Sequence, residues 1–77
     1  MKVIKITFFN PETIKKRIVR IKFSWDVSNH CWNVTITNIF GESTRRYYGK
    51  PEDFVSHYQE YNIRHNEYVT IKNIKCL

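Results

Sequence analysis

His30-Cys31 sets the residue types of a nucleophile and its base side by side. Adjacent side chains near strands point to opposite faces, so the pair is poorly placed to share a proton. A loop histidine followed by a half-buried cysteine is the expectation. His57 and His65 flank a helix end, and neither has a cysteine or carboxylate at ligand spacing. Surface histidines are expected there. Gly49-Lys50 has the last letters of a phosphate loop, but no Ser or Thr follows the lysine and Pro51 comes next. Asp and Glu are too scattered to nominate an acid–base pair. We therefore expect no enzyme, no catalytic residue, no metal site and no cofactor.

The basic residues are better organised. Lys15-Lys16-Arg17 is a run, and Arg20 and Lys22 continue it along one strand face. Arg45-Arg46 is followed by Tyr47-Tyr48, and Lys72 and Lys75 line the last patterned segment. The net charge is +6, a field that favours anionic partners. Lys, Asn, Ile, Tyr and Phe are abundant, while Ala is absent and Leu occurs once. That bias follows AT-rich codons, so part of the lysine excess is compositional.

Elements that position these residues read mostly as strands. Val3 to Phe9 alternates, with Ile4, Ile6 and Phe8 on one face and Lys5 and Thr7 on the other; Phe9 breaks the polar side. Asn10-Pro11-Glu12 is a turn, and Thr13 to Arg17 a loop or a single turn. Ile18 to Trp25 and Trp32 to Phe40 form an antiparallel hairpin with Trp25 opposite Trp32, Phe23 opposite Val34 and Ile21 opposite Ile36. Gly41-Glu42-Ser43 reads as a turn, and Thr44 to Tyr48 as a short fourth strand. Pro51 suits a first helical position, Glu52 and Asp53 suit the positive end of the dipole, and Phe54, Tyr58 and Tyr61 form a stripe beside Val55. Glu67 to Ile74 returns to β character.

The order β-β-β-β-α-β gives one α+β domain over residues 1–77: a four- to five-stranded, mostly antiparallel sheet with one helix packed on one face. Its other face carries Arg20, Lys22, Ser24, Asn33, Thr35 and Thr37, with no exposed aromatic pair. A chain of 77 residues builds a small core and rarely supplies the walls of a deep cleft. No apolar run is long enough to span a bilayer, and the N-terminal residues lack the apolar stretch of a signal peptide. No membrane association is expected. Cys31 and Cys76 read as free, reduced thiols.

From Ile18 to Phe54 the chain resembles the core of small β-rich baseplate plug proteins of contractile tailed phages. The matching features are a strand ending at Trp25, a second opening at Trp32, Gly41 in a turn, and a short helix with Phe54-Val55 before Tyr58. The chain is basic and Gly-poor, where that family is acidic and Gly-rich at its turns, and no site carries over. The resemblance implies a structural role, sealing a protein assembly.

Two functional readings result. The first is a small, basic, non-enzymatic phage-type viral protein acting by protein binding, as an assembly component or as an inhibitor of a host protein. Its contacts are Arg45, Arg46, Tyr47 and Tyr48, and its partner presents an acidic or nucleic-acid-binding surface. The alternative is nucleic-acid binding through Lys15, Lys16, Arg17, Arg20 and Lys22. Either reading sets the protein in the host cytoplasm or in a virion, and a homodimer through an edge strand is open to both.

Overall fold

A computed structural model describes the backbone of residues 2–75 and the side chains of residues 2–72. Cys76 and the side chain of Lys75, both named above, lie outside the described residues. The elements are β1 (Lys2–Asn10), β2 (Lys15–Asp26), β3 (Cys31–Asn38), β4 (Gly41–Tyr47), α1 (Pro51–Asn62) and β5 (Tyr68–Lys75). The strands form one antiparallel sheet in the order β4-β3-β2-β1-β5. The fold is α+β, and the connection through α1 carries the chain from one edge of the sheet to the other.

Period-two alternation sorts each strand into two faces. Ile4, Ile21 and Ile36 share one cross-strand row, Ile6 and Val19 another, and Phe23 and Val34 a third. These residues are buried with Phe8, Phe54 and Val55 in a single cluster. Burying each large side chain stabilises by about 1.5–3 kcal/mol. Phe54, in the first turn of α1, anchors the helix: its ring lies 5.8 Å from Phe23 and 5.1 Å from Tyr47, both edge-on. Tyr47 also lies over Gly49, where an added Cβ would come within 2.8 Å of the tyrosine hydroxyl. A side chain at this position would have to displace the end of the Tyr47 ring.

The central hairpin has the expected register, with Trp25 opposite Trp32, Phe23 opposite Val34 and Ile21 opposite Ile36. Several boundaries differ. β2 starts at Lys15, so the segment read as a loop is already paired with β1. The turn between β3 and β4 is Ile39-Phe40, and Gly41 to Ser43 belong to β4. Local polar chemistry overrides the apolar pattern here: the Phe40 amide donates to Asn38 Oδ1 at 2.8 Å and closes the turn. The helix is rotated relative to the expected stripe. Phe54, Val55, Tyr58, Gln59 and Asn62 face the sheet, while Tyr61 is 86% exposed. Trp25 shares the covered face and packs against Trp32, but it remains 49% exposed.

Candidate nucleic-acid interface

The sheet face opposite the helix collects most of the cations on β1, β2 and β5. Lys5 stands on β1, directly opposite Arg20 on β2 and Lys72 on β5. Alternation sends all three side chains to the uncovered face. Like charges directly opposed across strands are destabilising, and among the described residues none of the three has an ion-pair partner. Lys22 follows on the same face of β2, and Lys16 precedes them.

Beside this row lies an aromatic pair. Phe9 on β1 is directly opposite Tyr68 on β5, with Lys16 on the other side of Phe9. Phe9 is half-buried and Tyr68 is 68% exposed. The uncovered face therefore does carry an aromatic pair, contrary to the sequence expectation. Between the pair and the cation row, Thr7 and Thr70 face each other. Lys5, Thr7, Phe9, Lys16, Ile18, Thr70 and Lys72 surround a shallow hollow of about 470 Å³. Cations, hydroxyls and Phe9 thus share one open surface, with no acidic side chain at its rim among the described residues.

The basic run Lys15-Lys16-Arg17 is divided by the pleat. Lys16 reaches the open face with Arg20 and Lys22, while Arg17 pairs in register with Phe8 and turns to the helix side. There its guanidinium lies 3.8 Å from the Phe8 ring centre and is held by both oxygens of Glu67: Nε donates to Oε1 at 3.0 Å and Nη2 to Oε2 at 2.8 Å. Nη2 also donates to the Asn62 carbonyl. The Arg64 amide donates to Glu67 Oε2 at 2.9 Å. These bonds hold the Glu67 carboxyl down at about 2 against a burial effect in the other direction. Arg17 therefore ties β2 to the α1–β5 loop and has no free donor fork for phosphate. Lys15 lies with Arg17, Arg64, His65 and Glu67 around a second hollow of about 410 Å³, which Lys16 also borders.

The pleat splits the segment from Arg45 to Tyr48, although Arg45, Arg46 and Tyr47 all border one hollow of about 690 Å³ with Phe54, His57 and Tyr58. Arg46 faces the open side opposite Asn33, while Arg45 and Tyr47 face the helix. Arg45 sits 5.7 Å from the Phe54 ring centre, Tyr47 packs against the same ring, and Tyr48 is 70% exposed beyond the strand end.

The other residues with chemical potential are apart. Cys31 is fully buried and His30 is exposed, with its backbone at φ 49°. Asn29 donates through its side chain and its amide to Asp26, which lowers the Asp26 carboxyl and fastens that turn. Among the described residues no three His, Cys, Asp or Glu side chains gather to hold a metal, and no helix is long and apolar enough to cross a membrane.

Sequence reasoning missed the Phe9–Tyr68 pair and the Lys72–Lys5–Arg20 row. A signal was present, because Phe9 and Tyr68 both occupy the polar parity of their strands. The missing fact was the pairing of β5 with β1. No protein-family model matches this chain, and no curated protein or solved structure matches it, so these comparisons neither support nor oppose a likeness to baseplate plug proteins.

Proposed function

We propose that this chain binds single-stranded nucleic acid on the uncovered face of its sheet. The observation that carries this reading is the Lys72–Lys5–Arg20 row beside the Phe9–Tyr68 pair. Three unpaired cations in register lower the stability of an isolated sheet, and a polyanion laid across them relieves that repulsion. An aromatic pair at the end of the row offers a platform for unstacked bases. A duplex hides its base faces, so single strands fit better than double strands.

The protein-contact reading rests on Arg45 to Tyr48; Arg45, Arg46 and Tyr47 border one hollow, but the segment has no row of opposed like charges such as Lys72–Lys5–Arg20. For this reason nucleic acid takes precedence over an assembly or inhibitor role. Binding by this surface involves no bond making, in keeping with a non-enzymatic module.

The test is titration of nucleic-acid-free protein with labelled single- and double-stranded DNA and RNA across a salt series. Each phosphate contact to a single strand contributes a slope of about −0.7 in log K against log salt. Contacts by Lys5, Lys16, Arg20, Lys22 and Lys72 together give a slope of about −3.5 on that basis. Failure to bind any of the four nucleic acids at low salt would remove this function.

A further inference from the structure

We infer that β4 is a self-complementary edge through which two copies of this chain pair antiparallel about Thr44, joining their sheets into one. This inference rests on β4 alone and does not depend on nucleic-acid binding.

β4 is the last strand on its side of the sheet. Its residues Gly41 to Arg46 are all exposed, and it contains no proline. Such an edge presents unpaired backbone donors and acceptors to any strand that matches it. Its sequence, Gly-Glu-Ser-Thr-Arg-Arg-Tyr, is complementary in charge to its own reverse about Thr44. With Thr44 facing the partner's Thr44, Glu42 stands opposite the partner's Arg46, and Arg46 opposite the partner's Glu42. Ser43 then meets the partner's Arg45, and Gly41 the partner's Tyr47.

The charges favour this register. Glu42 and Arg46 lie on the same face of β4, opposite Thr37 and Asn33 of β3, and neither forms a salt bridge among the described residues. Two-fold pairing gives both an opposite charge directly across the strands, the arrangement that stabilises a ladder. Sliding the strands by two residues in one direction sets Arg45 against the partner's Arg45. Sliding in the other leaves Arg46 and Tyr47 unpaired. A one-residue slip sends the side chains to the wrong faces.

Two exposed aromatics fall into place as well. Phe40 is 91% exposed at the β3–β4 turn, and Tyr48 is 70% exposed just past the end of β4. The same register brings Phe40 to the partner's Tyr48 and Tyr48 to the partner's Phe40, giving an aromatic contact at each end of the paired strands. Each copy carries a net charge of +6. Between distant exposed charges this repulsion is screened beyond about 8–10 Å at moderate salt, whereas the four Glu42 and Arg46 side chains are in contact.

The test is sedimentation velocity on nucleic-acid-free protein over a concentration series, reading monomer at 9.4 kDa against twice that mass. Wild type is expected to dimerise. Glu42→Arg and Arg46→Glu change exposed side chains only, so folding survives. Each is expected to weaken dimerisation on the order of tenfold or more, because both cross-strand pairs become like-charged. The double variant Glu42→Arg/Arg46→Glu restores the dimer. Mixing the two single variants yields a heterodimer, since every cross-strand pair is then opposite in sign. A wild type that stays monomeric throughout, or a dimer indifferent to both reversals, overturns the proposal.

Discussion

Replacing Glu67 with glutamine removes the charge that holds Arg17 and leaves the shape of the side chain. The glutamine amide also faces the Arg64 N–H and the arginine Nη2 with a donor where an acceptor stood. The drop of the carboxyl from 4.5 to about 2 sets an upper limit: at 1.36 kcal/mol per unit it corresponds to about 3.4 kcal/mol. The Arg17 side chain is 26% exposed, so water screens part of this, and hydrogen bonds to charged groups stabilise by about 1.5–3 kcal/mol. We expect Glu67→Gln to lose about 2 kcal/mol at neutral pH on that scale. In a domain of this size that corresponds to roughly 8–16 °C in Tm. The sign with pH follows from the lowered carboxyl. The contribution is complete above 4.5 and disappears as pH falls through about 2. Urea unfolding of both proteins between neutral pH and the lowest pH at which they fold should show the gap closing in that window. A gap below about 0.5 kcal/mol at neutral pH, the size of an ordinary surface change, or a gap that persists undiminished in acid, would refute the clamp.

Other perturbations should act in defined directions. Phe54→Ala removes the ring that joins α1 to Phe23 and Tyr47; a loss of about 3–5 kcal/mol is expected by chemical denaturation, most of the stability of so small a domain. Ile14 is 78% exposed and holds φ at 55°, a region hostile to β-branched residues, so Ile14→Gly should stabilise by about 1 kcal/mol in the same assay. Tyr68→Ala, at a largely exposed position, should leave Tm nearly unchanged and weaken single-strand binding by about 1–3 kcal/mol in an anisotropy titration.

What could be read from the sequence was what local patterning controls. Alternation along Ile18 to Trp25 and Trp32 to Ile36 set the hairpin register, because a one-residue slip would expose Phe23 and Val34 together. Pro51, Glu52 and Asp53 marked the start of α1. The pairing of β5 with β1 is not local: Phe9 meets Tyr68 across nearly the whole chain, and no periodicity in either strand names the other. The direction of Arg17 was hidden for a similar reason. Its partners Glu67 and Asn62 come from the α1–β5 connection and the helix end, so a run of three basic residues looked like one surface. On β4 the pleat divides Arg45 from Arg46, although adjacency in sequence joined them.

Lys5→Glu tests the central claim most directly, with stability and single-strand affinity measured on the same preparation. Lys5 faces Arg20 and Lys72, and the substitution turns two repulsive cross-strand pairs into attractive ones, for a gain of about 1 kcal/mol in stability. It also removes a phosphate contact from the middle of the row. The expected result is a more stable protein that binds single-stranded nucleic acid more weakly, with a shallower salt dependence. A variant that binds as tightly as wild type, with the same salt slope, would contradict the assignment of this face to nucleic acid.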